Sequence, residues 1–191
     1  MKTVNKTEGR FTYYSWIIKS LSLVGILFVV TSIISHQLER IAEENEQQQD
    51  IVASAKDKLT QLDCLARNVY YEAANESFEG KVAVAQVTLN RVESNKFAKT
   101  VCGVVYERNI VYQRVICQFS WYCEKGKAEL QPKKSVAWDE SQEVAKQVLL
   151  ENFRLPGLRS ALFYHANYIN PQWGLPKVAT IGRHIFYSKK S

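Results

Sequence analysis

The sequence predicts an α+β protein dominated by helices, carried behind a single membrane-spanning helix and a helical stalk. Three observations predict it. An apolar run near the N-terminus has the length of a bilayer core, and the polar segment after it is free of Pro and Gly and helical in its spacing. Residues 62–191 then combine apolar patterns of helical period with two short aromatic runs bounded by Pro and Gly, which read as a small β element.

The run Leu21–Ile34 holds no charge, and extending it to Trp16 and Ser35 gives twenty residues. At about 1.5 Å per residue these cover ~30 Å, the thickness of a hydrocarbon core. Lys19 lies near the first end, where its ammonium can snorkel, and Tyr13, Tyr14 and Trp16 fall where interfacial aromatics gather. Lys2, Lys6, Arg10 and Lys19 come before the apolar residues, whereas Glu39, Glu43, Glu44 and Glu46 follow them. The positive-inside rule makes residues 1–15 a cytoplasmic tail and 16–35 a membrane anchor, with everything later periplasmic or otherwise extracytoplasmic. A cleaved signal peptide would have a shorter apolar region and a small-residue cleavage site, which Ile33-Ile34-Ser35 does not supply.

Residues 36–61 form the expected stalk. Leu38, Ile41, Val52, Ala55 and Leu59 keep a heptad step that continues through Leu62, Ala66 and Val69, so weak self-association as a parallel coiled coil is within reach. The stalk carries three cations against six anions, while residues 63–191 carry 18 cations against 12 anions, within a whole-chain charge of +6. A basic domain attracts an anionic partner, which composition alone leaves as nucleic acid, anionic lipid or anionic cell-wall polymer. The predicted topology argues against nucleic acid.

Cys64, Cys102, Cys117 and Cys123 all follow the anchor, and an even number outside the cytoplasm suggests disulfides of unspecified pairing. No C-x-x-C occurs, so neither a metal site nor a cofactor is expected. Within the domain of residues 62–191, Thr60-Gln-Leu-Asp63 has the form of a capping box, predicting a helix that starts or restarts there and runs to about Ala74. Ser77 opens a second helix, with Val82, Ala85, Leu89 and Val92 inward, and Ser135 caps a third, with Trp138, Val144, Ala145, Val148 and Leu149 inward. Residues 95–126 read as loops and short elements. Ala161–His165 and His184–Tyr187 read as two strands or a loop-rich hairpin.

Glu72 stands three residues after Val69, about 60° from the centre of the first helix's apolar stripe. A carboxyl at that edge is partly desolvated. Glu76 would share its face if the helix continued, and both effects favour the protonated form that a general acid needs.

Leu65-Ala-Arg-Asn-Val-Tyr-Tyr-Glu72-Ala73, with Glu79-Gly80 through Asn90-Arg91-Val92, resembles the SleB-type (spore-cortex-lytic) cell-wall hydrolase family. The resemblance continues through Thr100–Tyr106, Cys117-Gln-Phe-Ser-Trp121, Tyr164-His165-Ala166, Pro171-Gln-Trp173 and Ile181–Tyr187. It implies a fold related to lysozyme and lytic transglycosylases, with Glu72 as catalytic acid. It further implies cleavage of the β-1,4 bond between N-acetylmuramic acid and N-acetylglucosamine in peptidoglycan, leaving a 1,6-anhydromuramoyl end. Where the family commonly follows its acid with Ala-Arg-Gly-Glu, this chain reads Ala73-Ala74-Asn75-Glu76. Glu76 and Glu79 are the nearest candidates for the second carboxylate that simple hydrolysis needs.

For a glycan strand, Gln118 and Ser120 offer hydrogen bonds, and Tyr70, Tyr71, Tyr164, Tyr168 and above all Trp173 offer flat faces for sugar stacking. His165 and His184 read either as satisfied structural histidines or as substrate-facing groups. Two other functions stay open on sequence: a thiol or zinc peptidase or amidase acting on stem peptides, and a non-catalytic peptidoglycan-binding scaffold.

Overall fold

A computed structural model of the protein describes residues 8–124 and 132–190, with side chains from Trp16 onward. The chain divides into two compact units, Met1–Ser54 and Ala55–Ser191. Of the expected cytoplasmic tail, Lys2 and Lys6 lie outside the described residues.

Helix α1 runs without a break from Glu8 to Ala73. In the first unit it contains a stretch of mean hydropathy 2.3, long and apolar enough to cross a membrane and unburied by the protein itself. Hydroxyls within it turn back on their own helix: Ser20 Oγ donates to Ile17 O at 2.9 Å and Thr31 Oγ1 to Phe28 O at 2.9 Å. Such back-bonding pairs these two donors without help from a surrounding solvent. The capping box at Thr60 does not operate. Thr60 Oγ1 donates to Lys56 O at 2.9 Å, as a hydroxyl inside a helix does, because neither Pro nor Gly interrupts the turns around it. The heptad positions Leu38, Ile41, Val52 and Leu59 are all exposed.

In the second unit the end of α1 buries Leu65, Ala66 and Val69. Helix α2 (Phe78–Glu93) starts at Ser77, whose hydroxyl accepts from Gly80 N, and it is buried continuously from Gly80 to Arg91. One face joins the main core with α1, α3 (Val101–Val105) and α5 (Val136–Leu149), and the other meets Leu158, Ala161 and Phe186. A helix covered on every side must find partners within the protein for most of the polar groups it carries. Gln86 does so by exchanging two bonds with Leu155, at 3.2 and 2.7 Å, and Asn90 Nδ2 donates to Leu158 O and Ala161 O at 2.7 and 2.8 Å. Arg91 Nε donates to Leu162 O at 2.8 Å. These polar contacts fix where strand β3 (Ala161–Ala166) begins.

Strands β1 (Arg108–Val111) and β2 (Arg114–Cys117) form a hairpin, and α4 (Ser120–Cys123) follows it directly. The aromatic tail runs form β3 and β5 (His184–Ser188), as their composition suggests, and they pair antiparallel. A further strand, β4 (Lys177–Ile181), completes a sheet of order β3-β5-β4. Disulfides join Cys64 to Cys102 and Cys117 to Cys123. The first ties α1 to α3, and the second closes the β2–α4 corner.

Candidate active site

Buried polar bonds also set the positions of the elements that carry the site. Asn68 Oδ1 accepts from Trp121 Nε1 at 3.0 Å, and Asn68 Nδ2 donates to Thr88 Oγ1 at 3.1 Å, which locks α4, α1 and α2 together. Asn68 is one helical turn before Glu72, so the network that holds the α4 corner also fixes the end of α1. Tyr71 lies against Trp121 with ring centroids 4.5 Å apart and planes at 22°.

A cleft of about 420 Å³ opens beside these groups. Glu72 and Tyr71 line it from α1, Gln118 and Ser120 from the β2–α4 corner, and His165, Trp173 and His184 from the sheet side. Residues spread over more than a hundred positions of sequence thus meet at one site. Tyr164 O–H donates to Glu72 Oε2 at 2.9 Å. Burial first, and the charge of Glu72 next, push the Tyr164 hydroxyl well above its ordinary range, so it remains a donor. With Tyr164 donating to Oε2, a proton carried by Glu72 belongs on its other oxygen.

The two histidines differ. His165 Nδ1 lies 2.8 Å from Ala166 O and Nε2 2.9 Å from the Tyr187 hydroxyl, and its ring stacks on Tyr187 at 5.2 Å. Because a carbonyl only accepts, Nδ1 carries hydrogen and, in the neutral ring, Nε2 accepts from Tyr187. Both nitrogens are spent within the protein, so His165, although it lines the cleft, offers substrate its ring rather than a free nitrogen. His184 is 8% exposed, stands edge-on to Tyr164 at 5.2 Å, and has a buried Nδ1 with no hydrogen-bond partner in the structure. Burial pushes its pKa below the ordinary 6.5, which keeps the ring neutral. The neutral ring lines the cleft, while its unpaired Nδ1 lies beneath the surface.

Two expectations fail on geometry. Helix α1 stops at Ala73, so Glu76 does not share the face of Glu72. Its carboxylate instead accepts from Arg183 N at 2.9 Å and Arg183 Nε at 2.7 Å. Burial alone would raise the Glu76 pKa, but the two Arg183 bonds and the guanidinium charge together take it below 4.5. Tyr70 is absent from the cleft lining and meets Trp138 edge-on at 5.8 Å. Two site residues escaped the sequence reading. Arg91 is 4% exposed and reaches the cleft from α2, while Glu124 brings a second carboxylate to its lining. An arginine inside a helix buried all round was the available signal for the first. Glu124 has no comparable pattern. All four cysteines are in disulfides, so no described thiol can act as nucleophile or zinc ligand.

Comparison with known proteins gives the family. The sequence model of the Cell Wall Hydrolase family matches residues 75–187, and the chain belongs to that family, in its SleB-type branch. Glu72 lies just ahead of the matched segment. The spore cortex-lytic enzyme of Bacillus subtilis (strain 168) is 32% identical over 129 residues, 64% of this chain and 35% of that protein. That of Bacillus cereus (strain ATCC 14579) is 31% identical over 155 residues, 76% of this chain and 51% of that protein. The chain therefore spans about a third to a half of these relatives. The catalytic domain of the germination-specific lytic transglycosylase SleB from Bacillus anthracis superposes with a TM-score of 0.52 at 29% identity, covering 67% of this chain and 93% of that one. The catalytic domain of Bacillus cereus SleB gives 0.50 at 30% identity, covering 67% and 89%.

Proposed function

We propose that residues 62–191 cleave the glycan strands of peptidoglycan at the N-acetylmuramic acid–N-acetylglucosamine β-1,4 bond, by lytic transglycosylation with Glu72 as acid and then base. The observation that carries the reading is Glu72 at the cleft, fixed by the Tyr164 hydroxyl and flanked by amide, hydroxyl and indole groups. The resemblance to lysozyme-related lytic enzymes and the SleB likeness support it.

In the first step the Glu72 proton passes to the bridging oxygen as the bond to C1 of the muramic sugar breaks. The 2-acetamido oxygen of that sugar forms the new bond to C1. In the second, the 6-hydroxyl oxygen attacks C1, the acetamido group leaves, and the Glu72 carboxylate takes the hydroxyl proton. Atoms balance without water. Gln118, Ser120 and His184 hold the strand by hydrogen bonds, and Trp173, 44% exposed, offers a stacking face. Hydrolysis is the second reading, favoured by the presence of Glu124 in the lining. Digesting purified sacculi and weighing the muropeptides separates the two. Products lighter by one water, unaffected by Glu124→Gln, support transglycosylation. Full-mass products lost in Glu124→Gln assign hydrolysis.

The same reading places residues 16–35 as a membrane anchor with the N-terminus in the cytoplasm and the enzyme on the opposite side. The cationic flank before the apolar stretch, its self-satisfied hydroxyls and the two disulfides support it. An alkaline-phosphatase fusion after Ser191 is expected to be active. An inactive fusion of full length would overturn the topology.

A further inference from the structure

A second cavity, about 460 Å³, lies between the loop after α2, strand β3 and the residues that follow β5. Phe97, Leu162, Phe163 and Leu175 give it apolar walls, and its other lining residues are Lys96, Lys189 and Lys190. No acidic side chain is among them. Lys189 stands close enough to Lys96 to push the Lys96 ammonium below its ordinary range. Cations gathered over an apolar floor without an acid repel one another, and a bound anion relieves that repulsion.

The cavity adjoins the cleft. Phe163, in its wall, meets Trp173 edge-on at 6.4 Å, and Trp173 lines the cleft. Lys190 Nζ lies 3.5 Å from where a Cβ on Gly174 would sit, which sets an ammonium beside the residue after that indole. A ligand reaching both places must carry carboxylates and short apolar groups on a chain that branches from a sugar. In a peptidoglycan strand the lactyl ether bears such a chain, a peptide of alanine methyls and free carboxylates.

Resting on the glycan-strand reading above, we infer that this cavity is a subsite for the stem peptide of the strand held in the cleft. Its methyl groups lie on Phe97 and Phe163, and its carboxylates bridge Lys96, Lys189 and Lys190. The enzyme then prefers strands that keep their peptides.

Binding of the full chain carrying Glu72→Gln, in detergent, tests this with two soluble probes: a disaccharide-tetrapeptide and the same disaccharide with its peptide removed. Exposed ion pairs of ordinary strength add up to a preference of about tenfold for the peptide-bearing probe. Adding K96A, K189A and K190A together should abolish the preference and leave the peptide-free affinity unchanged, and the triple Lys→Arg variant should restore it. Equal affinity for the two probes before the lysines are changed, or a preference that survives the alanines, overturns the subsite while the glycan reading stands. Loss of binding to anionic phosphatidylglycerol vesicles in the alanine variant, with no peptide preference to lose, assigns the lysines to lipid and also overturns it. Binding of neither probe sinks the glycan reading, and the subsite with it.

Discussion

Tyr164 and Glu72 illustrate how a site is set by single atoms. The Tyr164 hydroxyl has no freedom to ionise at neutral pH, so its whole effect on Glu72 is one donated hydrogen bond. A bond to a charged partner is worth about 1.5–3 kcal/mol, and Tyr164→Phe is expected to slow strand cleavage by roughly 10–100-fold with little change in binding. Steady-state rates on solubilised strands check this. His184 also bears on stability. Its folded pKa lies below the 6.5 of an exposed histidine, so above pH 6.5 both folded and unfolded chains hold it neutral and it contributes no penalty. As pH falls below 6.5 the unfolded chain takes up the proton first, and stability declines through the folded pKa. Thermal melts from pH 8 to about pH 5 should show that decline, and His184→Gln should flatten it. Of these residues Glu72, which lines the cleft, was singled out by the family resemblance more than by its place on a helical stripe, and His184 only as one of two options. The separation of the two histidines needed the sheet, since alternate residues of a strand face opposite ways and only the fold shows which face is already occupied.

At the scale of elements, the end of α1 is tied to the β4–β5 turn through Glu76. Its carboxylate receives Arg183, and it passes so close to Gly182 that a Cβ there would sit 2.1 Å from Oε2. Gly182 also has φ +54°, a conformation that costs side chains free energy. Gly182→Ala should therefore destabilise the fold by about 2–3 kcal/mol, read as a lower urea midpoint, and should misplace His184 two residues on. Glu76→Gln removes only the charge. Because the folded Glu76 pKa lies below 4.5, its contribution is present above pH 4.5 and lost as pH falls through the folded value, so the two proteins should converge in stability in acid. The sequence reading placed α2 and α5 by their serine caps and apolar spacing, and both caps are made. It misjudged Thr60 because a hydroxyl followed three residues on by an acid occurs inside helices too. Only a neighbouring break in the helix makes such a pair a cap. Strand β4 was missed because Lys177-Val-Ala-Thr-Ile181 is short and nowhere fully buried, so its pairing with β5 rather than its composition makes it a strand.

For the molecule as a whole, the proposed anchoring outside the cytoplasm would place residues 62–191 in an oxidising medium. The disulfides fit that setting. Cys64–Cys102 closes a separation of 38 residues and Cys117–Cys123 one of 6, so the first constrains the unfolded chain far more. Replacing the first pair by serine is expected to cost about 3–4 kcal/mol and the second clearly less, as ranked by denaturant titration. The basic character of residues 63–191 complements an anionic wall polymer and survives as a diffuse field whatever pocket residues do. That the partner is anionic was legible from charge alone, and the wall polymer from the family resemblance. The cleft was not, since it draws on α1, α2, the β2–α4 corner and the sheet, whose meeting depends on buried polar contacts that no periodicity reports.

The central claim is that one carboxyl, on the last turn of α1, carries the proton that breaks the strand. Release of soluble muropeptides from purified sacculi by the full chain and by Glu72→Gln, matched for circular dichroism and melting temperature, measures it directly. General acid catalysis of ordinary size predicts a fall of about a hundredfold or more in the Glu72→Gln rate. A Glu72→Gln protein that releases muropeptides as fast as the unaltered chain would contradict the account.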